Sequence, residues 1–152
     1  MPCWLLLAGD GPLRPVIEEQ VRQHVTPGVL MPGFLNQSEL PLAYAASDLL
    51  ALCSSHETWG LVVNEAMNFG LPIVASDRVG CAADLVKSGW NGFVFPHQDV
   101  GALADALGKL IESENMRREF GIRSLELVSN YSVENCADGV LAACLSSTKR
   151  SG

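Results

Sequence analysis

Short apolar runs alternate with helix-patterned stretches in units of roughly 20 residues, a rhythm that calls for right-handed strand–helix–strand crossovers and a parallel sheet. Cys3–Ala8 is a candidate strand closed by Gly9-Asp10-Gly11-Pro12, and a helix should follow to about His24, with Val16, Ile17 and Val21 on one side. Val29–Met31 reads as a short strand closed by Pro32-Gly33, and Ser38 as the N-cap of a helix through Ala46. Asp48–Ser54 is apolar enough for a strand buried on both faces, as parallel sheets require. A helix over Gly60–Phe69, ended by Gly70, leads to a strand over Pro72–Ser76. A short helix over Cys81–Lys87 and a last strand over Gly92–Pro96 complete the alternation. From Asp99 onward only helices are predicted, from about Val100 to Ser113, Asn115 to Val128 and Val133 to Leu145, with Ser113 and Ser132 as caps. The expected architecture is α/β: a Rossmann-like parallel sheet with flanking helices and a helical C-terminus. Residues 1–146 form one domain and residues 147–152 a tail expected to fray.

Composition fits that class. A chain of 152 residues can bury roughly 70% of the surface its unfolded form exposes. Its 48% apolar and 18% charged residues are ordinary for a globular protein. No run approaches the ~18 apolar residues of a membrane span. Cys3–Ala8 is too short, and lacks the basic flank, for a signal peptide. Five cysteines, Cys3, Cys53, Cys81, Cys136 and Cys144, show no C-x-x-C spacing. They read as buried free thiols of a reducing compartment, hence a cytoplasmic location. With a net charge of −7 and ten basic residues, of which only Lys149-Arg150 approaches a cluster, the chain is not built for a nucleic-acid backbone. A small phosphorylated ligand remains compatible, because oriented backbone amides hold phosphate without a basic surface.

Ligands of parallel sheets bind beyond the carboxyl ends of the strands, which directs attention to the loops Gly9–Pro12, Gly33–Asn36, Ser54–Gly60 and Ser76–Gly80. The most informative is Ser54-Ser55-His56-Glu57-Thr58-Trp59-Gly60, because it leaves an apolar strand and enters a helix. Gly60 permits close approach at the helix start, and the amides of Gly60, Leu61 and Val62 then offer unpaired donors at the positive end of the helix dipole. Such an end attracts an anion by up to ~2 kcal/mol, so a diphosphate fits there without a lysine. Glu65 shares a helical stripe with Leu61, Val62, Ala66 and Phe69 and has no cation one turn away. It reads equally as a surface acid and as a carboxylate that accepts two hydrogen bonds from a ribose diol. Glu57 either complements the helix dipole or faces sugar hydroxyls. His56, Trp59, Arg14 and Arg78 have structural readings at least as good as functional ones, His24 and His97 look like surface residues, and no D-x-D or other metal set is found.

Glu57 and Glu65 also form the E-x7-E pattern, and the chain around them resembles the retaining GT-B glycosyltransferases of the family-4 type. Leu7-Ala8-Gly9-Asp10-Gly11-Pro12-Leu13-Arg14, Ala46-Ser47-Asp48, Glu65-Ala66-Met67, Gly70-Leu71-Pro72-Ile73-Val74-Ala75-Ser76-Asp77, Gly89-Trp90-Asn91-Gly92-Phe93 and Tyr131-Ser132-Val133-Glu134 fall in family order, over about residues 4 to 140. The resemblance implies that Glu65 binds the ribose and Glu57 the hydroxyls of the transferred sugar. It places the amides of Gly60, Leu61 and Val62 on the diphosphate, Phe34-Leu35 against the base, and the Gly9–Gly11 turn beside it. It implies a nucleotide-diphosphate sugar as substrate, no metal or other cofactor, and retention of anomeric configuration without a nucleophilic side chain.

The chain departs from that family in three ways. The N-terminal domain, which in relatives holds the acceptor, is expected to have no counterpart in this chain, so the chain should be an incomplete enzyme; the resemblance leaves both a cytoplasmic and a membrane-peripheral full-length enzyme open. The first strand–helix unit of the donor domain, with its basic residues, is also missing, and Thr58 stands where relatives often have Pro. In the order 3-2-1-4-5-6 the absent strand is central. Cys3–Ala8 and Asp48–Cys53 are therefore expected either to pair directly or to accept another chain, which would give a homo-oligomer by strand pairing. Two rival readings stand beside this one: a non-catalytic nucleotide- or partner-binding module, and a fragment of a sugar-nucleotide epimerase.

Overall fold

The computed structural model describes residues 3–23 and 28–148. His24, Lys149-Arg150 and the last four residues of the expected tail lie outside the described residues. The chain forms two compact units, Met1–Ala46 and Ser47–Gly152.

The first unit contains β1 (Leu5–Ala8), α1 (Arg14–Gln23), β2 (Val29–Gly33) and α2 (Leu40–Ala45). β1 and β2 pair in parallel, Leu5 with Val29 and Leu6 with Leu30, then slip so that Ala8 meets Gly33. The slip falls beside Pro32, which has no N–H to give the ladder and is tolerated at such an irregularity. β2 thus runs two residues past Met31, where its end was expected. Asn36, not Ser38, caps the approach to α2. Its Oδ1 accepts from the amides of Ser38 at 2.9 Å and Glu39 at 3.2 Å, while Glu39 Oε2 accepts from the Asn36 amide at 3.0 Å. Ser38 supports that cap instead of providing it, its hydroxyl donating to Asn36 Oδ1 at 2.6 Å. The reciprocal Asn–Glu pairing is a capping box.

The second unit contains β3 (Leu50–Leu52), α3 (Leu61–Asn68), β4 (Ile73–Ser76), α4 (Ala82–Leu85), β5 (Gly92–Phe95), α5 (Val100–Glu112), α6 (Glu114–Val128), a 3-10 turn (Ser129–Tyr131) and α7 (Val133–Thr148). Its sheet has the order β3-β4-β5, parallel throughout. All four residues of β4 are buried, as the middle strand under helices should be. Val74, Phe95, Ala106, Leu110 and Phe120 form the centre of the core, each large side chain contributing roughly 1.5–3 kcal/mol by leaving water. Ser113 and Ser132 cap α6 and α7 as expected, accepting from Met116 N at 3.2 Å and Asn135 N at 3.1 Å. Asp99 does the same for α5, accepting from Ala102 N at 2.9 Å.

One expectation about strands is corrected. β3 is not buried on both faces: Ala51 is exposed and Leu50 and Leu52 are half-buried, because β3 is an edge strand with β4 as its ladder partner among the described residues. β1 and β3 each pair with the strand that their own short crossover returns, the arrangement with the smaller loop-closure cost. α7 continues through Thr148, so Ser147 and Thr148 are helical rather than part of a tail.

Candidate functional site

The second unit brings the Ser54–Gly60 loop against the turn that follows β4. The β3–β4 ladder ends with Leu52 opposite Ala75, but cross-linking continues beyond it. Ser76 Oγ donates to the Ser54 carbonyl at 2.6 Å, and the Glu57 amide donates to the Arg78 carbonyl at 3.1 Å. The Gly80 amide donates back to the Glu57 carbonyl at 2.9 Å, and the Cys81 amide to the Trp59 carbonyl at 2.9 Å. Glu57 is therefore not on a free loop; its backbone is bonded on both sides, as a one-residue bridge to Val79. Gly80 makes this possible, since a Cβ there would lie 2.0 Å from the Thr58 carbonyl oxygen.

Gly60 is buried and takes φ +99°, a left-handed conformation that glycine adopts without strain. It turns the chain into α3, where the Val63 amide makes the first return bond, to the Gly60 carbonyl at 2.9 Å. The preceding amides of α3 have no intrahelical acceptor and lie at the positive end of the helix. Trp59 Nε1 donates to Asn64 Oδ1 at 2.9 Å, so the indole staples the loop onto the helix it precedes. Val63, Ala66 and Met67 anchor α3 in the core. Glu65 lies on the other face, exposed between Leu61 and Phe69, which are themselves 68% and 43% exposed. The stripe that carries Glu65 is thus an outward one; the inward stripe is offset by two residues.

A cleft of about 650 Å³ opens at this place, lined among others by His56, Glu57, Asp77, Arg78 and Gly80. Arg78 and His56 are exposed there, and Arg78 is loosely paired with Asp77 at 3.8 Å. Asp77 Oδ1 also accepts from the His97 amide at 2.9 Å, which ties the turn to the end of β5. Of the five cysteines expected to be buried, Cys81 is, whereas Cys3, Cys53, Cys136 and Cys144 are exposed, because Cys3 and Cys53 flank the short strands β1 and β3 and Cys136 and Cys144 lie on the exposed α7, rather than under the helices. Cys81 lies behind the loop, its thiol within 3.7 Å of the Gly60 carbonyl. Burial pushes that thiol up to about 11, with a further push from the Asp84 and Glu57 carboxylates. Among the described residues no three His, Cys, Asp or Glu side chains gather as a metal site would require.

Of the residues singled out from sequence, Glu57 lines this cleft, while Gly60, Leu61, Val62 and Glu65 stand at the start of and along α3 in the same unit and are not among the residues lining it. Gly9, Gly11, Phe34 and Leu35 belong to the first unit, where Gly9 and Gly11 border a cleft of about 390 Å³. There the Gly9 amide donates to the Gly33 carbonyl at 2.8 Å, and Phe34 is exposed while Leu35 is half-buried. Arg14 is held by Glu18 at 2.8 Å and Asp10 at 3.4 Å, and those carboxylates raise its affinity for its proton. Ser76, Gly80 and Asn64 were not singled out as functional. Small residues at a strand end and its turn were the available signal for the first two.

The fold is that of the C-terminal domain of GT-B glycosyltransferases. Sucrose-phosphate synthase from Thermosynechococcus elongatus superposes with a TM-score of 0.79 at 29% identity, over 95% of this chain and 39% of that one. HepE of Anabaena, solved in complex with UDP-glucose, gives 0.80 at 28% identity, over 95% of this chain and 41% of that one. In sequence, the N-acetyl-alpha-D-glucosaminyl L-malate synthase of Bacillus anthracis is 35% identical over 125 residues, 82% of this chain and 32% of that protein. The alpha-D-kanosaminyltransferase of Streptomyces kanamyceticus is 29% identical over 138 residues, 90% of this chain and 36% of that protein. The chain belongs to the glycosyl transferases group 1 family, which matches residues 2–126. It spans about a third of the length of these two curated relatives, 36% and 32%. No helix of the described residues is long and apolar enough to cross a membrane.

Proposed function

We propose that this chain is the donor-binding part of a retaining, metal-independent glycosyltransferase that uses a nucleotide-diphosphate sugar. The carrying observation is Glu57, strapped by its backbone at the edge of the cleft and one turn before the N-terminus of α3. In this reading Glu57 accepts from hydroxyls of the transferred sugar, the first amides of α3 meet the diphosphate, and Glu65 accepts from the ribose diol. The carboxylates act as oriented acceptors, each charge-assisted bond contributing roughly 1.5–3 kcal/mol. The helix end stabilises negative charge on the leaving diphosphate, where it develops as the glycosidic bond breaks. No protein nucleophile is assigned, and acceptor binding is assigned outside this chain. Five free cysteines support a reducing, cytoplasmic setting.

Calorimetric titration with UDP, GDP and their glucose conjugates tests the reading. Saturable binding is expected. Glu65→Ala should weaken nucleotide and conjugate alike by about ten- to a hundredfold, and Glu57→Gln should weaken the conjugate selectively. No binding by the unaltered chain, or a Glu57→Gln effect equal on both ligands, would overturn it. EDTA should leave the isotherms unchanged.

A further inference from the structure

We propose that Ser76 is a positioning residue for the donor sugar, acting through Glu57; this rests on the sugar-binding reading of Glu57 given above. Ser76 ends β4 and is fully buried. Its hydroxyl donates to the Ser54 carbonyl at 2.6 Å and accepts from the Arg78 amide at 3.3 Å, and the Arg78 carbonyl accepts from the Glu57 amide at 3.1 Å. One serine side chain thus links the first residue of the loop to the turn that holds Glu57, at the point where the strand ladder has stopped. The remaining cross-links are the backbone bonds of Gly80 to Glu57 and Cys81 to Trp59, and the weak contact of the Cys81 thiol with the Gly60 carbonyl at 3.7 Å, at the far end of the loop. At the Ser54 end, Ser76 is the side chain that sets how far the loop stands off the turn.

Removing the hydroxyl leaves the Ser54 carbonyl without its donor at a part-buried position, and the loop relaxes toward water. Glu57 moves with it. The α3 amides and Glu65 do not, because Val63, Ala66 and Met67 fix that helix in the core independently. The effect of Ser76 should therefore fall on the sugar and spare the nucleotide.

The test is a titration of the full chain with UDP, GDP and their glucose conjugates across a double-mutant cycle. Ser76→Ala should weaken the conjugate about three- to tenfold and leave the free nucleotide within about twofold. In a Glu57→Gln background Ser76→Ala should add nothing, and Ser76→Thr or Ser76→Cys should recover part of the loss. Ser124→Ala serves as the control: it removes a different buried hydroxyl, one without a hydrogen-bond partner, and should move neither affinity. Equal losses on both ligands, or additivity with Glu57→Gln, would overturn the proposal. If Glu57→Gln leaves the conjugate's affinity intact, or the unaltered chain binds neither ligand, the reading of Glu57 is what fails. Amide exchange then judges the strap alone. Faster exchange at Glu57 and Gly80 in Ser76→Ala, reversed in Ser76→Thr, supports it; unchanged exchange overturns it.

Discussion

Gly80 lies so close to Thr58 that a Cβ on it would stand 2.0 Å from the Thr58 carbonyl oxygen. The approach lets the Gly80 amide reach the Glu57 carbonyl at 2.9 Å. Gly80→Ala must break that bond or push the whole loop away, because the opposing atoms are backbone and cannot rotate aside. We expect a loss of about 3 kcal/mol, seen as a fall in Tm on the order of 6–12 °C. Sugar-nucleotide binding should disappear with it. A Gly80→Ala chain with unaltered Tm would mean that the loop tolerates displacement and does not hold Glu57.

The cysteines should differ in reactivity according to exposure. Cys3, Cys53, Cys136 and Cys144 are exposed, whereas Cys81 is buried with its thiol pushed up to about 11. Timed alkylation at pH 8 followed by mass spectrometry should label Cys3, Cys136 and Cys144 first and Cys81 last, with Cys53, exposed but raised by desolvation, in between. The same shift has a consequence for stability. An unfolded Cys81 loses its proton near pH 9 while the folded one retains it to about 11. The folded state then binds more protons, so the contribution is intact below pH 9 and is lost as pH rises through that window. Cys81→Ser should flatten the alkaline limb of a stability–pH curve; an unchanged limb would contradict this origin.

At the start of α2, Asn36→Ala removes the acceptor for the Ser38 and Glu39 amides. The expected cost is about 1 kcal/mol, confined to the first unit. Amide exchange at Ser38 and Glu39 should accelerate while exchange at Val74 stays the same. Acceleration at Val74 as well would mean that the two units open together.

Much of the fold was legible because apolar runs and glycine or proline stops mark strands and helices directly, as for β4, α3 and β5. Ser113 and Ser132 cap their helices as read, since a serine just before a periodic stretch has one good use. Ser38 misled for a physical reason: Asn36 lies two residues upstream, with a better acceptor, and Glu39 stands at the spacing that closes a box with it. The burial of Asp48–Ser54 was misjudged because apolar composition reports what a strand could be packed against, not how many neighbours it has. For the proposed site, the strand-to-helix loop drew attention to Glu57, Gly60 and Glu65, but spacing left both glutamates open to a surface reading, and their proposed roles come from the family resemblance. Ser76 and Asn64 could not be named, because their roles arise from through-space pairing with Ser54 and Trp59, the first of these across 22 residues of sequence.

The four fully covered residues of β4 bear on how the molecule moves. A strand enclosed in this way is among the last places to open, and openings elsewhere need not involve it. The turn that grips Glu57 begins at its final residue, so one end of the strap is moored to a strand expected to be among the slowest to exchange in the second unit. Loosening the strap then requires only local fluctuation of the Ser54–Trp59 loop, within microseconds or faster and with the sheet intact. A ligand could be admitted and released on that timescale many times for each excursion of the whole unit toward the unfolded state.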